Sequence, residues 1–265
     1  MPTHVVVGAS RGIGYAFLET LSKDPNNKVI GLVRTVEPTQ KKVDADGLKN
    51  VTILHADLTK YTSLLEAAKK VSSISESVDF LWNNGAYLSE LMVTKFLTDF
   101  DLSEHDKMVE DMQHSFTTNV VGVINAINAF LPLVKKSSIK KVITISTGMA
   151  DNDLVSKYGI WESASYSSSK AALNNIICKY DAKFRPEGVL FLSLSPGMVD
   201  TGGKIPEDSE LPRKFFAYTP NMVAPITPAQ SVNYMLKVVD ASTAAQDGGQ
   251  FYSHLGKHQA WLNTA

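Results

Sequence analysis

The chain has 265 residues, of which 44% are hydrophobic and 20% are charged, so its length and composition fit one large globular domain. Lysine and arginine (26) nearly balance aspartate and glutamate (27), and this argues against nucleic acid or an anionic membrane as the main partner. The single cysteine excludes an internal disulfide. We find neither a signal-peptide pattern nor an uninterrupted apolar run of about 20 residues, and we therefore expect a cytoplasmic protein that binds no membrane.

Short β-branched runs alternate with segments of helical spacing. We predict strands over residues 5–7, 29–33, 51–54, 80–82, 142–145, 189–194 and 250–253, and helices over about 13–21, 64–71, 113–131, 165–184 and 228–238. This alternation predicts an α/β fold: one domain over residues 1–265 with a doubly wound, parallel, seven-stranded sheet and helices on both faces. Ligands of such sheets bind beyond the carboxyl ends of the strands.

A glycine-rich turn separates the first predicted strand from the first predicted helix. Glycines at this place allow a tight turn, and they let backbone N–H groups and a helix N-terminus approach a pyrophosphate. The alternative is a glycine-rich turn without a ligand. The candidate cofactor-binding residues here are Gly8, Ser10, Arg11, Gly12, Ile13 and Gly14.

Position 34 decides which dinucleotide the turn favours. A carboxylate at the end of the second strand would bind a ribose 2′-hydroxyl, but this position holds Arg34, and the turn adds Arg11. Two guanidinium groups favour a 2′-phosphate and hence NADP(H). Both arginines could also be solvated surface residues, and the nearby Glu37 leaves NAD as a lesser possibility.

A tyrosine and a lysine at positions i and i+4 share one face of the helix predicted over 165–184: Tyr166 and Lys170. An ammonium beside a phenol favours the phenolate, so we expect the pKa of Tyr166 to be lowered. A tyrosine tuned in this way can donate a proton to a developing alkoxide. Ser146, at the end of the fifth strand, can polarise a carbonyl group.

In their order and strand-end placement, these motifs resemble the short-chain dehydrogenases/reductases over nearly the whole chain. The resemblance also rests on Asp57 after the third strand, Asn84-Gly85 after the fourth, Asn119, and Pro196-Gly197 after the sixth. Residues 25–31 and 131–133 are similar to fungal members near norsolorinic acid ketoreductase and to carbonyl reductases. The resemblance implies a Rossmann fold and an NADP-dependent oxidoreductase that acts on CH–OH and carbonyl groups.

The resemblance also implies a role for each matching residue. Tyr166 would be the general acid and base, Lys170 would lower its pKa and bind the nicotinamide ribose, and Ser146 would hold the substrate oxygen. Asn119 would anchor a water molecule in a proton relay. The remaining residues would bind the cofactor: Asp57, Leu58, Asn84, Gly85, Pro196, Gly197, Val199 and Thr201.

Several departures from the family pattern concern the substrate side. The fourth-strand motif has Asn-Gly-Ala where the family has Asn-Ala-Gly, and two stretches, about 87–112 and 147–165, are long. We expect both to be substrate loops, and the proline-rich stretch of about 201–226, which shows few helical signals, to be a lid. Their aromatic and methionine side chains favour a bulky or aromatic substrate, although these side chains could simply pack the loops onto the body.

Two further patterns suggest no chemistry. The charged segment from Asp99 to Asp111 is most simply a solvated helix face. His254 and His258 have no carboxylate or cysteine to complete a metal site, so we expect no metal and place both residues at the surface or the terminus.

The sequence therefore predicts an NADPH-dependent ketoreductase. Its substrate would be a ketone or aldehyde of the kind found among secondary metabolites. One alternative is an NADP-binding, redox-sensing regulator or scaffold on the same fold. Another is a biosynthetic reductase that also guides a cyclising or dehydrating step. A small-molecule substrate is the expected partner, and assembly into a homo-dimer or homo-tetramer is possible.

Overall fold

The structure is a computed structural model that describes residues 1–203 and 209–264, so part of the predicted lid, 204–208, lies outside the described residues. Within these ranges, seven strands form one parallel sheet in the order β3-β2-β1-β4-β5-β6-β7. The predicted fold class is confirmed. The strands are β1 (Thr3–Val7), β2 (Lys28–Val33), β3 (Val51–His55), β4 (Phe80–Asn83), β5 (Lys141–Ile145), β6 (Leu190–Ser195) and β7 (Phe251–Ser253).

Ten α-helices connect or flank these strands in the described residues. They are α1 (Gly12–Leu21), α2 (Val36–Ala45), α3 (Tyr61–Ile74), α4 (His105–Phe116), α5 (Gly122–Val134), α6 (Asn152–Tyr158), α7 (Ala164–Phe184), α8 (Leu211–Tyr218), α9 (Pro228–Ala241) and α10 (Ala244–Asp247). A π-helical turn, Thr117–Val121, joins α4 to α5. The sequence analysis missed α2, α6, α8 and α10. The expectation of few helical signals in the lid was wrong, because α8 buries Phe215 there.

The sheet is covered on both faces, which explains why its strands are almost uniformly apolar. On one face, Val5 and Leu81 pack against apolar residues of α3, α5 and α7. On the other face, Val6 and Trp82 pack against α1 and α9. Strand residues therefore alternate between two cores.

The strand order reverses between β1 and β4. From β1 the chain runs outward through β2 to β3, and from β4 it runs outward in the opposite direction to β7. In an open parallel sheet, such a reversal separates the two connecting loops and leaves a crevice at the carboxyl ends of the strands. The turns after β1 and β4, which carry two of the predicted motifs, meet at this point.

One stretch, His105–Val134, is long and apolar enough to cross a membrane, and 61% of its most apolar window is buried inside the protein. It comprises α4, the π-helical turn and α5, and α5 contributes Ala126, Ile127 and Phe130 to the core. Burial of this kind is what core helices show. A cytoplasmic location and homo-oligomeric assembly stay predictions.

Candidate active site

The glycine turn after β1 is held against the turn after β4 by close backbone contact. Gly8 has φ +81°, and a Cβ placed on it would overlap Gly85. A Cβ on Gly14 would overlap the carbonyl oxygen of Gly8, to which the Asn84 side chain donates a hydrogen bond of 2.9 Å. Side chains at these glycines would separate the two turns, so glycine is needed here for space.

The departure at Asn84-Gly85-Ala86 has a local reason. A Cβ on Gly85 would lie 2.6 Å from the Cδ1 of Leu58, which fills the space beside this turn. Gly85 donates its N–H to the carbonyl oxygen of Val7 at 2.8 Å, so its backbone stays attached to the end of β1. The close approach that the family motif requires is therefore kept, with the glycine one position earlier.

The loop after β6 reaches back toward the first glycine turn. Gly197 has φ +82°, and a Cβ on it would lie 2.5 Å from Oδ1 of Asn263 and 2.6 Å from Cε1 of His254. Further along the loop, the Thr201 methyl group lies 3.4 Å from the position of a Cβ on Gly12. The predicted cofactor-binding residues after β1, β4 and β6 are thus brought to one edge of the sheet, with Pro196 and Val199 in this loop.

Arg11 and Arg34 are both exposed at the ends of β1 and β2, and neither forms an ion pair within residues 1–203 or 209–264. Burial pushes the pKa of Asp57 upward, but hydrogen bonds from Thr59 and neighbouring positive charges, Arg34 among them, hold it below its ordinary value. Arg34 and Asp57 therefore share one end of the crevice, and their contact with the cofactor stays a prediction.

Ser146, Tyr166 and Lys170 come together beyond β5. Tyr166 and Lys170 lie in the first two turns of α7, and the Lys170 ammonium is 5.9 Å from the centre of the Tyr166 ring. This ammonium also donates a 2.8 Å hydrogen bond to the carbonyl oxygen of Ile145, the last residue of β5. The Ser146 hydroxyl is buried and has no hydrogen-bond partner among the described residues, so it can receive a polar group of a ligand.

The expectation about the pKa of Tyr166 was wrong in direction. Burial raises the pKa of Tyr166 to about 12 and lowers that of Lys170 to about 8. Both changes have the same cause, because desolvation disfavours the charged form of either group. Lys170 keeps its proton near pH 7, whereas the Tyr166 phenol is held protonated and can act as a proton donor.

Asn119 lies in the π-helical turn and is completely buried. Its Oδ1 accepts the N–H of Tyr87 at 2.7 Å, and its Nδ2 donates to the Tyr87 carbonyl oxygen at 2.9 Å and to Ser169 Oγ at 3.0 Å. The side chain therefore joins the loop after β4 to α7. The role of water anchor predicted for it stays a prediction. A π-helical turn inside a long helix is frequent at functional sites.

Comparison with known proteins agrees with this arrangement. The sequence profile described as short chain dehydrogenase matches residues 2–211. The chain belongs to this family. It is 39% identical to the short chain dehydrogenase virK of Hypocrea virens over 99% of this chain and 100% of that protein. It is 40% identical to the short-chain dehydrogenase/reductase AacuF of Aspergillus aculeatus, with the same coverage.

Solved structures agree with the fold of this short-chain dehydrogenase. An NADPH-bound carbonyl reductase from chicken fatty liver has a TM-score of 0.78 and 25% identity, covering 98% of this chain and 99% of that one. Carbonyl reductase Sniffer of D. melanogaster has the same TM-score at 20% identity, covering 98% of this chain and 100% of that one, and shows the fold alone. Membership of the short-chain dehydrogenase family makes the protein an oxidoreductase.

Near the end of the sheet that carries Ser146, Tyr166 and Lys170, three separate segments of this short-chain dehydrogenase build a small apolar cluster. Its buried members are Leu154 of α6, Ile160, Phe215 of α8 and Leu262. Trp261 ties the C-terminal segment to the other two, since its indole N–H donates to Asp151 at 2.6 Å and its backbone N–H donates to the Tyr218 hydroxyl of α8 at 3.1 Å. The packing interpretation of the predicted substrate loops therefore holds for part of their side chains.

A buried ion pair fastens α8 to the segment before Tyr166. Lys214 lies 2.8 Å from Glu162, and both side chains are less than a tenth exposed. The Lys214 ammonium also lies 4.9 Å from the centre of the Trp161 ring. The sequence analysis missed this pair, because nothing at 162 and 214 marks residues 52 positions apart as partners.

Two residues that were set aside as solvated or terminal are buried. His254 is 1% exposed beneath Gly197, and burial lowers its pKa to about 4, which keeps the ring neutral near pH 7. Asp111, at the end of the charged segment, is 8% exposed on the inner face of α4. In the sequence, the serine-rich stretch around Tyr166 was the one signal that a residue such as Asp111 could find hydrogen-bond donors nearby.

Proposed function

We propose that the protein is an NADPH-dependent reductase that reduces a ketone or aldehyde to an alcohol, and that also runs in the reverse direction. The observation that carries the proposal is the convergence of Ser146, Tyr166 and Lys170 beyond β5, at the edge where the glycine turn also lies. Family membership supports an oxidoreductase, and the NADPH-bound neighbour supports the choice of coenzyme.

The backbone of the crevice fits a nicotinamide dinucleotide. The close-packed glycines after β1 leave backbone N–H groups at the start of α1 for the pyrophosphate, with Ser10 and Ile13 in the same turn. Arg11 and Arg34 supply the positive charge that an adenosine 2′-phosphate requires. Asp57 and Leu58 would flank the adenine, and the nicotinamide half would lie against Pro196, Gly197, Val199 and Thr201.

The catalytic residues provide orientation and a proton. The cofactor, when bound, supplies the hydride. Ser146 donates a hydrogen bond to the substrate carbonyl oxygen, and Tyr166, with its pKa raised to about 12, holds the proton that this oxygen receives. The Lys170 ammonium stabilises the tyrosinate that forms as the proton leaves.

The substrate is bulky and partly apolar. Six large apolar side chains are exposed on the segments that we expect to border the substrate, where packing onto the body would have buried them: Leu88, Leu97, Leu102, Trp161, Phe216 and Val223. They come from the two long loops, about 87–112 and 147–165, and from the stretch of about 201–226. Exposed apolar groups around a polar reaction centre fit an aromatic ketone.

Replacing Tyr166 with phenylalanine tests the proposal. Removal of the proton donor should lower kcat for NADPH oxidation with an aromatic ketone by about 10²–10⁴-fold, with little change in NADPH affinity. Tyr61→Phe, at the exposed start of α3, is the control and should keep wild-type turnover. Substrates would come from a panel of aliphatic and aromatic carbonyl compounds.

The same assay separates the alternatives. Full turnover by Tyr166→Phe would overturn the assignment of the proton donor. Tight NADPH binding without turnover of any carbonyl compound by the unaltered protein would favour the redox-sensing regulator. A cyclised or dehydrated product that forms without NADPH would favour the biosynthetic alternative.

A further inference from the structure

A buried carboxyl group connects the loop after β4 to the first turn of α7. Asp111, on α4, accepts a hydrogen bond of 2.8 Å from the Tyr87 hydroxyl through Oδ1 and one of 3.0 Å from the Ser165 hydroxyl through Oδ2. Ser165 is completely buried and directly precedes Tyr166. Each oxygen of Asp111 therefore holds a different segment of the candidate active site.

Tyr87 is held at both ends, and both attachments lead to the neighbourhood of Tyr166. Its backbone is bonded to Asn119, whose Nδ2 donates to Ser169 Oγ at 3.0 Å. Ser169 Oγ in turn donates to the Tyr166 carbonyl oxygen at 2.7 Å. One path from Tyr87 therefore reaches α7 just before Tyr166, through Asp111, and the other reaches it one turn later, through Asn119.

The first turn of α7 benefits from these contacts because the helix has no side-chain cap from the described residues at its start. The residue before the helix, Ser163, has φ +56°, in the left-handed region that non-glycine residues seldom adopt. Within the described residues, Ser163 makes no side-chain capping bond to α7, although serine is among the preferred capping residues. The first N–H groups of α7 therefore lack this side-chain partner, and the turn to which they belong carries Tyr166.

The Tyr87 side chain is well suited to donate a lasting hydrogen bond to Asp111. Burial and the contact with Asp111 raise the pKa of Tyr87 above its ordinary value, so the Tyr87 hydroxyl keeps the proton that it donates. His114 packs edge-on against the Tyr87 ring with centroids 4.3 Å apart, which fixes the ring in place. The Ser165 bond to Asp111 is buried and the Tyr87 bond is partly buried, and a buried hydrogen bond is costly to leave unmade.

We propose that Asp111 is a positioning residue for Tyr166: through Ser165 and Tyr87 it fixes the first turn of α7 so that the phenol faces the substrate oxygen. This inference rests on the proposed function, since it concerns the residue that donates the proton there. Asp111 does not itself touch substrate or cofactor. Its contribution is therefore expected in kcat, because misplacing a catalytic group by about 1 Å can cost about 10²-fold in rate.

Asp111→Ala and Asp111→Asn separate positioning from a general effect on folding. Alanine removes both acceptors, and kcat should fall about 10- to 100-fold while NADPH affinity, measured by fluorescence titration, stays within about twofold. Asparagine can accept from Tyr87 through Oδ1 and donate to Ser165 Oγ through Nδ2, so it should restore kcat to within about threefold of the wild type. Asp106→Ala, an exposed aspartate on the same helix, is the matched control.

A double-mutant cycle with Ser165→Ala tests the path itself. If Asp111 acts through Ser165, the double variant should lose no more kcat than Asp111→Ala alone, because both changes break one connection. Independent losses that multiply would overturn the path through Ser165. Unchanged kcat in a folded Asp111→Ala protein, or equal losses for alanine and asparagine, would overturn the positioning role.

Two further measurements keep the outcomes distinct. If Asp111→Ala does not fold, as judged by circular dichroism, Ser165→Ala and Tyr87→Phe each remove one arm of the tie and should each lower kcat; two unaffected variants would refute the inference. Tyr166→Phe is assayed in parallel. An active Tyr166→Phe protein would sink the proposed function, whereas an inactive one beside a fully active Asp111→Ala protein would sink this inference alone.

Discussion

We propose that the turns after β1 and β4 form the cofactor side of the site, and that α6, α8 and the C-terminal segment form its substrate side. These two sides are built in different ways. On the cofactor side, backbones touch: Gly8, Gly14 and Gly85 leave no room for a side chain between the turns after β1 and β4. On the substrate side, side chains from distant segments hold the structure together. Glu162 pairs with Lys214, and Trp261 bonds to Asp151, 110 positions away along the chain.

This difference determines how each side responds to substitution. A backbone contact fails as soon as a Cβ is added, because a packed turn has no alternative arrangement. A contact between side chains can be replaced by another pair of similar volume. The cofactor side should therefore tolerate almost no change at its glycines, while the substrate side should accept paired changes that alter specificity and keep the fold.

Gly14→Ala should have the largest effect. The added Cβ would overlap the Gly8 carbonyl oxygen, so the turn after β1 must shift and the start of α1 with it. We expect a loss of about 4 kcal/mol or more in the free energy of unfolding, together with a loss of at least about 100-fold in NADPH affinity. Urea unfolding and fluorescence titration measure the two quantities.

Gly203→Ala is the matched control for this change. A Cβ at Gly203 has open space around it, so stability and NADPH affinity should stay close to those of the wild type. If Gly14→Ala behaved like Gly203→Ala, the turn would be able to relax, and the cofactor side would be no more rigid than the substrate side.

Lys214→Ala tests the substrate side. Its removal leaves the buried Glu162 carboxylate without its cation, and breaking a buried pair in this way costs about 3–5 kcal/mol. Thermal unfolding should show the loss. KM for the carbonyl substrate should rise more than KM for NADPH, because we propose that α8 borders the substrate, whereas the dinucleotide turns lie after β1 and β4.

The double variant Glu162→Leu/Lys214→Met is the variant to compare with Lys214→Ala. Replacing both charges with apolar groups of similar volume is often neutral or stabilising, so the double variant should recover most of the stability that Lys214→Ala loses. A double variant as unstable as Lys214→Ala would show that the pair is as irreplaceable as the glycine contacts across the crevice.

The same difference explains how much the sequence could predict. Glycine spacing and strand-end polar residues are local patterns, and they sufficed for the sheet, the turn after β1 and the placement of Ser146, Tyr166 and Lys170. Glu162 with Lys214, and Trp261 with Asp151, depend on how separate segments meet, which periodicity does not encode. Asp111 was misjudged because a charged run normally faces solvent, whereas its last residue here turns inward to two hydroxyl groups.

The pKa of Tyr166 was mispredicted for a related reason. A lysine one turn along the helix was expected to lower it through its charge, and the spacing alone gave no measure of burial. In the structure, desolvation raises the pKa of Tyr166 to about 12 and lowers that of Lys170 to about 8. Whether the charge of Lys170 or the desolvation of Tyr166 has the larger effect depends on how α7 packs against the end of β5. Only the fold shows that packing.

Arg34→Ala should give the smallest effect and the most selective one. Arg34 is exposed, so its loss should leave the unfolding temperature unchanged. It should raise KM for NADPH about tenfold, equivalent to about 1.4 kcal/mol, with little change in KM for NADH, because only NADPH carries the 2′-phosphate. Initial-rate kinetics with both coenzymes measure the difference, with Lys23→Ala as an exposed control.

Equal losses with both coenzymes would contradict a 2′-phosphate contact, and would place Arg34 against a part of the cofactor that NADH and NADPH share. Arg34→Lys distinguishes charge from geometry: lysine keeps the positive charge but lacks the planar pair of donors that matches a phosphate, so it should recover only part of the preference for NADPH. A selective change at Arg34, beside the collapse expected at Gly14, would show that the cofactor side combines a backbone that cannot vary with exposed side chains that choose the coenzyme.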